Sequence, residues 1–188
     1  MTEDRNKDRK GFTLAELLIV VAIIGVLVAI SIPILNKQLE KSREAHDIYT
    51  MRAVADYAVD LYYTGKVNET EADDIGLKWW NGPTDDRDNA AGAYDPTTGT
   101  IKRLRDGITP YGKGTKTDTG TKYSMGSNPN TYKNNEDYTE SVCMIAIYPN
   151  GNNKHIDVYW KNNTSKTNYV GGQDGENVPL YSFRIPLE

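Results

Sequence analysis

From Leu17 to Asn36 the chain carries no charged side chain, and no other feature constrains its fold as strongly. Counted from Phe12 to Leu35, the apolar stretch has 24 residues, ~36 Å as a helix at ~1.5 Å per residue. That is enough to cross a hydrocarbon core ~30 Å thick. The mean hydropathy of the 188 residues is nevertheless -0.64, with 26% of them charged. The apolar residues are therefore concentrated, and the chain beyond Gly65 is rich in Asn, Gly, Thr, Lys and Tyr. Length and asymmetry together allow one globular domain plus an extension.

Residues 1–11 are short and hydrophilic, with Arg5, Lys7, Arg9 and Lys10 against Glu3, Asp4 and Asp8. Positive charge lies closest to the apolar run, which favours a cytoplasmic amino terminus and an outward carboxy terminus. A net charge of -4 argues against a nucleic-acid role built on phosphate contacts, which needs a basic face. One cysteine, Cys143, excludes an intrachain disulfide and a cysteine-built zinc site.

Two residues do not suit an ordinary span. Glu16 sits in its first turns, where a carboxylate in lipid costs a few kcal/mol unless paired or near the interface. Pro33 removes a backbone donor near the far end. Taken alone, they read as a snorkelling interfacial acid and a kink at the membrane exit.

Their surroundings change that reading. Lys10-Gly11-Phe12-Thr13-Leu14-Ala15-Glu16-Leu17-Leu18, followed by Ile19-Val20-Val21-Ala22-Ile23-Ile24-Gly25, closely resembles the class III signal sequence of type IV prepilins and pseudopilins. The resemblance covers roughly residues 5–40. It implies cleavage after Gly11 by a membrane aspartyl peptidase and N-methylation of Phe12. It also implies an assembly role for Glu16, paired with a neighbouring subunit's amino terminus. Gly25 and Pro33 fall where this family has a helix-loosening Gly and Pro. A buried charge satisfied only by a neighbour rewards correct axial register and penalises a slipped subunit. After cleavage the Phe12 amine stands four residues before a carboxylate that, on sequence alone, lacks any other partner.

The rival is a secretory signal peptide cut after Ala29-Ile30-Ser31, a small-x-small site. Against it, Glu16 interrupts the apolar region and the helical pattern continues past the cut. Leu35, Leu39, Ala45, Ile48, Met51, Ala55, Ala58 and Tyr62 recur at helical spacing, with Glu40, Arg43, Glu44, Asp47 and Asp60 assigned to the remaining surface. Thr64-Gly65 is the first stop signal.

The expected organisation is a cleaved leader at 1–11, a membrane or filament-core helix at 12–35, its amphipathic outer half at 36–65 and a β-rich head at 66–188. The fold class is α+β, a long helix packed on an antiparallel sheet. Residues 66–140 read as a poorly patterned connection anchored by Trp79-Trp80 and Ile101 to Leu104. Ser141 to Tyr148, Lys154 to Trp160 and Leu180 to Ile185 read as strands, the first two joined through Pro149 to Asn153 as a hairpin. Ile156, Val158 and Trp160 alternate with His155, Asp157 and Tyr159, which predicts one covered and one wet face.

Constellations for chemistry in the head are weak. Cys143 with His155 or His46 reads as a buried inert thiol rather than a catalytic pair. Asp85-Asp86-Arg87-Asp88 and Gly171 to Glu176 offer oxygen ligands for calcium, yet neither follows an EF-hand spacing. They are read as solvated turns, so no cofactor, no metal and no enzymatic activity are expected. Trp79-Trp80 reads as core in preference to a sugar platform, and Asn162-Asn163-Thr164-Ser165 as an exposed loop holding sequon patterns.

The resemblance implies a structural subunit of a type IV pilus or related filament. Its partners would be identical or related pilin subunits, the prepilin peptidase, an assembly-platform membrane protein, an assembly ATPase and, before assembly, the lipid membrane. The alternatives are a pseudopilin of a type II secretion or competence system and a membrane-tethered binding domain. The expected location is the cytoplasmic membrane before assembly, then a cell-surface pilus or a periplasmic or wall-spanning filament.

Overall fold

The computed structural model describes residues 11–105, 107–113, 139–162 and 183–188. It divides into two units, Met1–Leu39 and Glu40–Glu188. One helix, α1, runs from Leu14 to Tyr63, two residues short of the expected start at Phe12. It continues without a break through Gly25 and Pro33. It stops where the sequence says it should: Gly65 takes φ 75°, open to glycine at no steric cost, and donates its N–H to Tyr62 at 3.1 Å.

In the second unit the helix buries Asp47, Met51, Val54, Ala55 and Ala58, with Met51 4% exposed and the others 0%. Their spacing of four, three, one and three places them on one helical face. The expected stripe was broader and partly misplaced. Leu39 is 48% exposed and Ala45 exposed, whereas Asp47, assigned to the surface, is fully buried. Asp47 lies one turn before Met51, and its carboxylate is satisfied by the backbone N–H of Lys113 at 2.8 and 3.1 Å, which makes the burial tolerable.

Among the described residues six antiparallel strands form one sheet: β1 Lys78–Trp80, β2 Asn89–Asp95, β3 Thr100–Lys102, β4 Ser141–Tyr148, β5 His155–Asn162 and β6 Phe183–Pro186. Their order is β1-β2-β4-β5-β6, with β3 also paired to β2. β1 pairs with Asn89 to Ala91 and β3 with Ala93 to Asp95, so both short strands share one edge of β2. Gly92 sits between them. A Cβ there would collide with Ile101 Cγ2 and lie 2.9 Å from Leu77 Cδ2, so the missing side chain is what lets both pack onto the sheet.

β4 and β5 are paired over eight positions, from Ser141↔Asn162 to Tyr148↔His155, close to the expected hairpin. Cys143, Ile145 and Ile147 with Ile156, Val158 and Trp160 join Met51, Val54, Ala55 and Ala58 in the main core. The expectation of a wet second face fails: His155, Asp157 and Tyr159 are 7%, 1% and 5% exposed. Tyr159 packs in a second cluster with Ala93, Ile108, Val142, Met144 and Ala146. Segment 107–113 contributes Ile108 to that cluster and is pinned by Tyr111. Tyr111 hydroxyl donates to the Tyr94 carbonyl at 2.9 Å and accepts the Cys143 N–H at 3.0 Å, and its ring meets Trp160 edge-on at 5.4 Å.

The region read as an unpatterned connection holds β1, β2 and β3 and two 3-10 turns, Ala72–Ile75 and Asp85–Arg87. Its anchors were half right. Ile101 is 6% exposed and Trp79 packs against the core, but Trp80 and Leu104 are 51% and 52% exposed. Of the expected third strand, Leu180 to Ser182 lie outside the described residues and Phe183 to Ile185 are paired with β5.

Candidate processing and assembly segment

The helix begins at Leu14 because Thr13 caps it. The Thr13 hydroxyl accepts the Glu16 N–H at 3.2 Å, and the Glu16 carboxylate accepts the Thr13 N–H at 2.8 Å and its hydroxyl at 2.9 Å. This is a capping box, in which an N-cap Thr and an N3 Glu satisfy each other's orphan donors. The expectation that Glu16 lacks a partner within its own chain is thereby corrected. Thr13 is the residue that the sequence reading missed, although its Thr-x-x-Glu pattern was visible.

Gly11 and Phe12 precede the cap in a non-helical, exposed stretch; Phe12 is 91% exposed, and a Cβ on Gly11 would meet nothing within 4 Å. The junction between them is therefore sterically open. Gly25, likewise, has nothing within 4 Å of a Cβ position. At Pro33 the Ala29 carbonyl loses its usual i+4 donor. Just before it, Ser31 hydroxyl donates to the Leu27 carbonyl at 2.7 Å, a back-bond that commonly accompanies local bending.

Between Leu17 and Leu35 the large apolar side chains are 46% to 63% exposed on all sides of the helix. The segment meets the length and hydropathy of a membrane span. A helix apolar all round needs an apolar environment, whether lipid or other helices.

The head residues singled out for chemistry are not assembled into a reactive site. Cys143 is fully buried on the helix-facing side of β4. Burial, and then the charge of Asp47, push its thiol well above the ordinary range despite a hydrogen bond from Met144. His155 lies on the opposite face, five register steps along the hairpin, ~17 Å at ~3.4 Å per residue. His46 is exposed on α1. Asp86 accepts from the Thr84 hydroxyl, and Asp88 accepts the Gly82 N–H at 2.8 Å. Among the described residues no cluster of three or more His, Cys, Asp or Glu side chains could hold a metal ion. Gly171 to Glu176 and Asn163 to Ser165 lie outside the described residues.

The outer face of the sheet also buries charge, most completely at Asp157. Arg184 Nε and Nη2 donate to the two oxygens of Asp157, each at 2.7 Å. His155 Nε2 lies 3.7 Å from Asp157, its Nδ1 donates to the Asn153 carbonyl at 2.6 Å, and its ring stacks on Tyr148. Burial alone would raise the Asp157 pKa, but the two hydrogen bonds from Arg184, with His155 nearby, outweigh it and hold it below the usual carboxylate value. This cluster ties β6 to β5.

Residues 6–32 match the family described as the prokaryotic N-terminal methylation motif. The chain is also similar to fimbrial protein Q of Moraxella bovis, with 42% identity over 77 residues, 37% of this chain and 48% of that protein. The chain thus spans about half the length of the curated relative it matches. No solved structure matches it. The match across Gly11, Phe12 and Glu16, the fimbrial relative and the helix-plus-sheet build bear out the resemblance of this chain to the type IV prepilins.

Proposed function

We propose that the chain is a structural, non-enzymatic subunit of a type IV pilus or closely related filament. It is cleaved after Gly11 and N-methylated on Phe12. The observation that carries this reading is the arrangement at the start of α1: an open Gly11–Phe12 junction, then a capped first turn presenting Glu16, then an uncovered apolar helix. A peptidase needs an extended, accessible bond, and both Gly11 and Phe12 precede the helix. Filament growth needs a helix that is stable in lipid and equally able to pack against copies of itself.

In this reading the precursor rests in the cytoplasmic membrane with residues 1–11 inside and the head outside. The peptidase, an assembly-platform protein and a cytoplasmic ATPase act on it in turn. The assembly partners are identical or related pilin subunits. Gly25 and Pro33 are the places where the helix loosens during packing, since one lacks a side chain and the other a backbone donor.

The test is mass spectrometry of the mature amino terminus in sheared surface filaments, with subunit abundance. An N-methylated Phe12 in abundant polymer is the expected result. The same amino terminus in a short filament that stays with the envelope would assign the chain as a pseudopilin. A start at Ile32, or unpolymerised membrane protein, would overturn the reading.

A further inference from the structure

We infer that Asn150 is a site of spontaneous deamidation in the folded head, whereas the chemically equivalent Asn81 is protected. The sequence holds two Asn-Gly pairs, Asn81-Gly82 and Asn150-Gly151. In such a pair the glycine N–H, unhindered by a side chain, loses its proton and its nitrogen attacks the asparagine Cγ. The C–N bond to the amide group breaks and ammonia leaves, giving a cyclic succinimide. Solvent water then opens either C–N bond of the ring, yielding aspartate or isoaspartate. The reaction therefore needs a free glycine nitrogen and a free asparagine amide.

The two pairs differ in both respects. Gly82 N–H is held by the Asp88 carboxylate at 2.8 Å. The Asn81 side chain accepts from Trp79 Nε1 at 2.6 Å and donates to Glu69 at 3.4 Å. Nucleophile and electrophile are thus both engaged. In the β4–β5 turn, Asn150 and Gly151 make no hydrogen bond among the described residues. Gly151 is exposed. Asn150 lines an open cleft with Tyr62, Tyr63, Pro149 and Glu188, so water reaches the succinimide. Conversion would place a new carboxylate in the cleft that Glu188 lines, next to the glycine whose backbone packs against Asp86.

The experiment incubates the detergent-solubilised full chain at mildly alkaline pH and follows both sites by peptide mapping and by enzymatic methylation of isoaspartate. Asn150 should gain acid and isoaspartate while Asn81 keeps its amide. Its conversion should run at least about tenfold faster, the factor corresponding to ~1.4 kcal/mol for first breaking one charge-assisted hydrogen bond. In urea the two sites should react alike. Asp88→Ala, which frees Gly82 N–H, and Trp79→Phe, which frees the Asn81 amide, should each accelerate Asn81 alone, with tryptophan fluorescence confirming that the head stays folded. Equal rates in the folded chain would overturn the inference. So would an intact Asn150 under conditions that convert it in urea.

Discussion

Arg184 on β6 grips both oxygens of Asp157 on β5, two bonds of 2.7 Å around a side chain that is 1% exposed. Asp157 and Arg184 are also directly opposite in the β5–β6 register, so one ion pair reinforces the backbone ladder of a four-residue edge strand. Its worth depends on both partners remaining. Arg184→Met should destabilise the head by ~3 kcal/mol, the lower end of the range for breaking a buried pair, because Arg184 itself is 22% exposed. Urea unfolding followed by tryptophan fluorescence checks this, and an unchanged midpoint would remove the latch role.

The same pair sets a pH dependence. Asp157 has a folded pKa below its unfolded value, which is ~3.9 for a free aspartate. Its contribution to stability is therefore fully present above that unfolded value and is lost as pH falls through the folded one. Below about pH 4, the wild-type midpoint should drop more steeply than that of an Asp157→Asn, Arg184→Met double variant. Parallel acid curves would contradict this.

Gly92 tests the packing at the outer edge of β2. Alanine there drives its methyl into Ile101 Cγ2 and against Leu77, with the Lys102 carbonyl at 3.2 Å. Overpacking of this kind costs ~1–3 kcal/mol. Gly99→Ala, at an open turn with φ 68°, is strained by its backbone alone and should cost less, about 1 kcal/mol. Thermal unfolding of the two variants gives the ranking.

Removing residues 1–35 should leave a soluble, folded head. Every large apolar side chain more than half exposed between Phe12 and Leu35 goes with the deletion, while Met51, Val54, Ala55 and Ala58 still cover the sheet. Size-exclusion chromatography and near-UV circular dichroism should report a packed monomer. Aggregation or a molten spectrum would count against a self-sufficient core.

How much of this was legible in sequence depends on how locally each feature is written. The apolar run, the Gly11-Phe12-Glu16 spacing and the Gly65 stop are linear signals, and the helix follows them almost to the residue. β4 and β5 carry continuous apolar or alternating residues and were placed nearly correctly. β2, Asn-Ala-Ala-Gly-Ala-Tyr-Asp, has no β-branched residue, and its small side chains suit it to pack under Leu77 and Ile101. Propensity is silent there because tertiary packing decides. Asp47 was misread because a charge on a helix is normally solvated, and its partner, Lys113 N–H, is 66 residues away. The buried outer face was missed for a related reason. His155 and Asp157 look polar until Arg184 and Tyr148 are brought beside them.

Glu16 supplies the sharpest test of the filament reading. In the single chain its carboxylate is held by the Thr13 N–H and hydroxyl, so it does not stand uncompensated before assembly. Loss of a capping interaction costs ~1 kcal/mol, too little to unfold a 50-residue helix supported by lipid. Processing of Glu16→Ala should therefore survive, because the proposed scissile bond follows Gly11, in the open stretch before the cap. Gly11→Val, by contrast, should leave full-length precursor, since a branched side chain blocks close approach to that bond. Assembly of Glu16→Ala should fail. In the proposed filament the methylated Phe12 amine of each subunit would enter an apolar core with no carboxylate, and breaking one side of a buried pair costs ~3–5 kcal/mol, repeated at every subunit added. Thr13→Val separates the two roles of the carboxylate: it removes the hydroxyl but keeps Glu16 and the backbone N–H, so its filaments should form, at reduced yield. Glu16→Gln keeps the shape without the charge and should assemble as poorly as alanine. Sheared filaments and membrane pools, quantified for all four variants, give the ordering. Normal filament yield from Glu16→Ala would remove the charge-pairing role, and failure of Thr13→Val equal to that of Glu16→Ala would move the role to the cap.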